Sequence, residues 1–180
     1  MINVVNAVGG GYLERELDLE ALQIDLDTDS CKFNSSNPSR MYLQLREDSP
    51  TISLFRSGKY SIAGAESVDE LHKENYQFKK EIKRLGVMAK TGKVDFNTRY
   101  LVGIGDLGYQ LNLSEVLATI GAEAEYEPEQ FPGLYYSPSG TTTYVIFSTG
   151  KVSINGPKTK EELEERFNEL KMILRLIQSI

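Results

Sequence analysis

The segment Ile146-Phe147-Ser148-Thr149-Gly150-Lys151-Val152-Ser153-Ile154-Asn155-Gly156 has a weaker copy earlier in the chain, Leu54-Phe55-Arg56-Ser57-Gly58-Lys59-Tyr60-Ser61-Ile62-Ala63-Gly64. An internal duplication leaves few architectures open, because whatever structure one copy adopts the other should adopt as well. It predicts two repeats, residues 1–90 and 91–180, forming one pseudo-symmetric body. With 40% of its 180 residues apolar, the chain can bury a sizeable core.

Each repeat reads in the same order. Ile2 to Val8 is short and rich in β-branched residues, a strand that Gly9-Gly10-Gly11 would end in a turn, and residues 99–105 are its counterpart. Short helices follow over Leu17–Leu26 and Leu113–Ile120, with Asp18, and Asn112 or Ser114, suited to their N-caps. Strand-like runs come next, at 31–33, 41–46, 51–55 and 60–63 in the first repeat and 122–126, 134–136, 142–147 and 152–155 in the second. Turn residues such as Ser57-Gly58-Lys59 and Thr149-Gly150-Lys151 join them. A long helix closes each repeat, opened by a capping box, Ser67 with Glu70 and Thr159 with Glu162. Leu71, Asn75, Phe78, Ile82 and Leu85 stand level with Leu163, Phe167, Leu170, Leu174 and Ile177, one stripe per helix for packing on a sheet. Asn75 is the polar intruder, and nothing in the sequence explains it. Gly86 ends the first long helix, and Val87 to Lys93 reads as the linker.

This order predicts an α+β fold in which two five-stranded halves join into one curved, antiparallel, ten-stranded sheet. Two long and two short helices cover its convex face, and no element remains to cover the other. Residues two apart on a strand share a face. The bare face should therefore hold Ser61 and Ala63, Ser153 and Asn155, and across the hairpins Ser53 and Phe55, Val145 and Phe147. Phe55 and Phe147 end their strands just before a Gly-Lys turn, and Phe131 sits in the loop Glu129-Gln130-Phe131-Pro132-Gly133. Those are poor places to bury a ring, so the three are candidates for contact with a ligand.

Several function classes are disfavoured. A net charge of −6 argues against indiscriminate binding to nucleic acid, which depends on phosphate neutralisation, although a local basic face remains compatible with it. The single Cys31 offers no internal disulfide or cysteine-rich metal site, and the single His72, set among helix charges, reads as a solvated side chain. No apolar run of about eighteen residues suggests a membrane span, and the N-terminus lacks a signal-peptide layout, so a cytoplasmic protein is expected. Glu161-Glu162 and Glu164-Glu165 have the spacing of a wet helix face, and no Lys-Ser/Thr follows Gly9-Gly10-Gly11 as a phosphate cradle would require. No catalytic residue, metal or cofactor is expected.

Three motifs narrow the reading: Tyr126-Glu127-Pro128-Glu129-Gln130-Phe131-Pro132-Gly133-Leu134, Val145-Ile146-Phe147-Ser148-Thr149-Gly150-Lys151 with Ile154 and Gly156, and the duplicate Leu54-Phe55-Arg56-Ser57-Gly58-Lys59 with Ile62-Ala63-Gly64-Ala65. The chain resembles, over essentially its whole length, the TATA-box-binding proteins, in the archaeal form that lacks a long N-terminal extension. That family is the standard example of minor-groove kinking. The resemblance implies a saddle whose underside binds double-stranded A·T-rich DNA in a widened minor groove, with Phe wedges at the terminal base steps. By position, Phe55, Phe131 and Phe147 match three of four wedges, Asn3 one of two central asparagines, Val5 and Val102 the central valines, and Lys59 and Lys151 the turn lysines that meet phosphate. Arg46 matches a phosphate-binding arginine. Tyr100 stands at the other central asparagine, Ser61 and Ser153 stand at valines, and Ala63 and Asn155 at threonines, with Val145 on the same face. Pro38 falls where the fourth wedge belongs, Arg40 where the second repeat has Gly133, and Asn37, Gln44 and Ser137 occupy arginine positions. Glu127 and Glu129 match the acidic surface offered to transcription factor IIB.

The resemblance thus implies an archaeal, nucleoid-associated initiation factor that bends promoter DNA and recruits a transcription factor IIB homologue, without a membrane partner, and is a monomer or weak homodimer off DNA. The missing ring implies weaker bending at one end, and the missing arginines a shallow salt dependence. The alternative is the same saddle used as a protein-interaction platform that has lost TATA-type DNA binding.

Overall fold

The computed structural model describes residues 1–26, 32–33, 39–87, 95–138 and 140–178. The chain divides into two compact units, one of Met1–Val5 with Tyr100–Ile180 and the other of Asn6–Arg99.

In the unit Asn6–Arg99 the strands are the greater part of β1 (Ile2–Tyr12), β2 (Lys32–Phe33), β3 (Arg40–Leu43), β4 (Thr51–Phe55) and β5 (Lys59–Ala65), in the antiparallel order β2-β3-β4-β5-β1. Two helices belong to it, α1 (Leu19–Leu26) and α2 (Val68–Arg84). Burial alternates along β4 and along β5 as far as Ala63: Ile52, Leu54, Tyr60 and Ile62 turn inward, toward a core shared with Leu71, Phe78 and Ile82 of α2. The Tyr60 and Phe78 rings lie 4.8 Å apart. Asn75 has its explanation here. The Tyr60 hydroxyl donates to Asn75 Oδ1 at 2.7 Å, which gives the buried phenol a hydrogen-bond partner.

Gly9-Gly10-Gly11 is not a turn. β1 runs through all three glycines to Tyr12. A Cβ at Gly9 would enter the Phe96 ring, and one at Gly11 would stand 2.5 Å from Tyr60 Cζ. Gly9 and Gly11 are strand residues without side chains, which leaves room for two aromatic rings against the backbone, the other common reason for glycine in a strand. His72 is exposed, with the edge of its ring against Phe96.

The other unit repeats the plan with β6 (Phe96–Asp106, from Tyr100), α3 (Leu113–Ile120), β7 (Ala124–Glu125), β8 (Gly133–Tyr136), β9 (Thr143–Phe147), β10 (Lys151–Asn155) and α4 (Lys160–Gln178), in the antiparallel strand order β6-β10-β9-β8-β7. A short 3-10 turn, Gly121–Glu123, follows α3. Leu134, Ile146, Val152 and Ile154 bury against Leu163, Phe167, Leu170 and Leu174, with Ile2 in the same cluster and Ile177 packed at its margin.

The caps form nearly as predicted. Ser67 Oγ accepts from Glu70 N–H at 3.1 Å and Thr159 Oγ1 from Glu162 N–H at 3.1 Å. The carboxylates reach one residue further than expected, Glu70 to Glu66 N–H and Glu162 to Lys158 N–H. Asp18 and Asn112 cap α1 and α3. The predicted strand at 41–46 is shorter because Gln44 turns to the Ser49 carbonyl and Ser49 Oγ accepts from Arg46 N–H, closing a turn where pairing was expected. Cys31 and, in the expected linker, Met88 to Lys93 lie outside the described residues.

Candidate nucleic-acid interface

The strand alternation that builds each core leaves the opposite face of each unit's strands without a helix among the described residues. In the unit that ends at Ile180, hydrogen-bonded pairing sets this face out in rows. Gly133 lies opposite Phe147; Tyr135, Val145, Ser153 and Ile104 form the next row; Thr143, Asn155 and Val102 the next. None of these side chains belongs to the buried core, and Ile104 and Tyr135 are 47% and 42% exposed, which places bare apolar surface in the middle of the face. Asn3 and Val5 are exposed here too, since their neighbours Ile2 and Val4 turn to the core. Tyr100 and Lys151 are exposed at its margins.

Phe131 and Phe147 meet at the end of this face, ring centroids 5.9 Å apart and edge to face, and Phe131 also lies 5.2 Å from the Tyr135 ring. Gly133 makes that possible. A Cβ there would stand 2.6 Å from Phe131 Cε1 and 2.8 Å from Val145 Cγ1. Phe131 is carried on a turn in which Gln130 N–H and Phe131 N–H both donate to the Glu127 carbonyl, at 3.0 Å each. Glu127 and Glu129, on that turn, are exposed.

The unit Asn6–Arg99 has the same rows with different contents. Arg40 lies opposite Phe55; Tyr42, Ser53, Ser61 and Gly10 form the next row; Thr51 pairs with Ala63. Phe55, Ser61 and Ala63 are half-buried on this face and Lys59 is exposed on its turn. In place of a second phenylalanine, the Arg40 guanidinium lies over Phe55, its central carbon 4.5 Å from the ring centroid. Asn37 and Pro38 lie outside the described residues.

Arg46 is elsewhere. Its Nη2 meets Glu74 Oε2 at 2.5 Å, and the Glu74 side chain is 1% exposed on the core side of α2. Its charge is spent on a buried carboxylate and it does not join the open face. Ser137 Oγ lies 3.2 Å from Thr143 Oγ1.

Sequence reasoning placed Arg40 on the open face at the position of Gly133 and missed Tyr42, Arg99, Ile104 and Tyr135. Period-two alternation carried from Phe55 and Phe147 across the next hairpin would have found Tyr42 and Tyr135. Arg99 is different: its Nε lies 3.0 Å from where a Gly10 Cβ would be, a proximity with no local sequence signal. Among the described residues no cluster of three or more His, Cys, Asp or Glu could hold a metal, and no helix is long and apolar enough to cross a membrane.

Among the described residues, each unit thus presents an uncovered antiparallel sheet face with aromatic rings at the strand ends and lysines on the adjoining turns. A family model described as transcription factor TFIID (or TATA-binding protein, TBP) matches residues 1–85 and 95–177. The chain is 36% identical to TATA-box-binding protein C of Halobacterium salinarum, covering 92% of this chain and 93% of that one. It is 32% identical to TATA-box-binding protein 2 of Haloferax volcanii, covering 94% and 90%. It shares the fold of Methanococcus jannaschii TBP, with a TM-score of 0.79 and 29% identity over 99% of both chains. The chain belongs to the TATA-box-binding protein family, whose members are non-enzymatic, DNA-binding transcription initiation factors.

Proposed function

We propose that this protein starts transcription by laying the open faces of its units in the minor groove of A·T-rich promoter DNA and bending it, with Phe131, Phe147 and Phe55 as wedges. The observation that carries this reading is the Phe131–Phe147 pair, held half-exposed at a strand end over the one residue without a side chain. Unstacking a base step costs a few kcal/mol in groove-kinking proteins, a mode of which this family is the standard example. Two rings already packed on each other lose little freedom on insertion, which lowers the cost of the step.

Between the rings, small and apolar residues suit a groove edge that shows only acceptors at A·T pairs. Val5, Val102, Val145, Ser61, Ala63 and Ser153 offer a smooth surface to it; Asn3, Tyr100 and Asn155 offer donors; Lys59 and Lys151 reach phosphate. The exposed Glu127 and Glu129 provide an acidic surface for a transcription factor IIB homologue. The protein works as a monomer or weak homodimer off DNA, associated with the nucleoid, and residues 1–90 and 91–180 are its two functional repeats.

A gel-shift panel of A·T-rich promoter duplexes at low salt tests the reading. A shift with A·T-rich duplexes and none with G·C-rich ones supports it. No shift with any duplex removes it in favour of the protein-interaction platform, a reading that the engagement of Arg46 by Glu74 favours.

A further inference from the structure

Equivalent positions in the two units, Gly133 opposite Phe147 and Arg40 opposite Phe55, carry different chemistry. In the first pair, the missing side chain opens a seat for the Phe131 ring. In the second, a guanidinium occupies that seat. Arg40 stacks 4.5 Å from the Phe55 centroid and 5.5 Å from the Tyr42 centroid, and its Nη1 donates to the Tyr42 hydroxyl at 2.7 Å. Tyr42 is itself 41% exposed on the open face. Among the described residues no ion pair reaches Arg40, in contrast to Arg46, whose charge is taken up by Glu74.

We infer that Arg40, held by Phe55 and Tyr42, is a specificity-determining DNA contact that replaces a ring wedge with a cation in the half-site bound by the unit Asn6–Arg99. This rests on the DNA-binding reading above. The physical case has three parts. A guanidinium is planar and weakly hydrated, so stacking on aromatic faces holds it without spending its donors, and among the described residues only Tyr42 takes a hydrogen bond from it. The A·T minor groove offers A N3 and T O2 as acceptors, whereas G·C adds the guanine amino group, a donor that repels the guanidinium. The negative potential at the edge of the A·T minor groove attracts arginine. The two half-sites are therefore read differently, one by the packed Phe131–Phe147 pair, the other by Phe55 with a cation stacked on it in place of a second ring.

The test is a fluorescence-anisotropy titration of the full chain on an A·T-rich promoter duplex across a salt series. Companion duplexes carry one G·C or one inosine·cytosine pair at each position in turn, the latter lacking the minor-groove amino group. Arg40→Ala should bind roughly tenfold more weakly and reduce the slope of log K against log salt by about 0.9. It should also lose the penalty for G·C over inosine·cytosine in one half-site only. Arg40→Lys, which keeps the charge but not the stacked plane, should retain the slope and lose the discrimination. An unchanged slope and unchanged G·C penalty in Arg40→Ala, while Phe147→Ala binds less well, would overturn the assignment and leave the DNA-binding reading standing. Absence of binding by the unaltered protein to every duplex would sink both.

Discussion

Arg46 and Arg40 show how little a residue's type says about its use. Both sit on or just beyond β3, and a sequence comparison favours Arg46 as the phosphate contact. Its guanidinium instead neutralises Glu74, whose second oxygen is buried without a partner. Removing Arg46 leaves a carboxylate stranded in the core of α2. Because the Arg46 side chain is 55% exposed and screened by water, Arg46→Ala should cost about 1–3 kcal/mol, at the lower end of that range. Urea unfolding would measure this, and the salt slope of DNA binding should not change. A second residue-scale expectation concerns pH. Burial pushes the Tyr144 phenol up from 10.0 to about 12, so the folded state holds its proton more tightly than the unfolded chain does. Its contribution is fully present below pH 10 and is lost as pH rises toward 12. Tyr144→Phe should flatten the fall in stability over that window when thermal midpoints are compared.

At the scale of elements, the sequence was most legible where one local pattern had one outcome. Both capping boxes, both apolar stripes and the Gly-Lys hairpins are in the structure because each needs only neighbours along the chain. Ser67→Ala should accordingly cost about 1 kcal/mol in chemical denaturation, since Glu70 N–H loses its acceptor. Legibility failed where the decisive neighbour was distant. Gly9-Gly10-Gly11 reads as a turn until Phe96 and Tyr60 are seen lying against it, and Asn75 looks misplaced until the Tyr60 hydroxyl is found. The open face divides in the same way. Its Phe, Ser and Val residues follow from alternation, while the closeness of Arg99 to Gly10 joins residues far apart in the chain, which no local rule supplies.

For the whole molecule, the central question is how a chain of net charge −6 holds a polyanion. Among the described residues the cations on the open faces are few and placed, so binding as proposed requires apolar contact to supply much of the attraction. Lys59, Lys151, Arg40 and Arg99 stand at or near the open faces, and Arg46 does not. Binding should therefore depend less on salt than it would for a strongly basic protein of this size, and more on the rings. The direct check is resonance energy transfer between dyes at the two ends of a promoter duplex, with Phe131→Ala/Phe147→Ala beside the unaltered protein and circular dichroism to establish that both are folded. The unaltered protein should draw the duplex ends together, and the doubly substituted one should leave them nearly as far apart as in free DNA. Equal shortening by both proteins at saturation would show that the DNA is bent without these rings, contradicting their role as wedges.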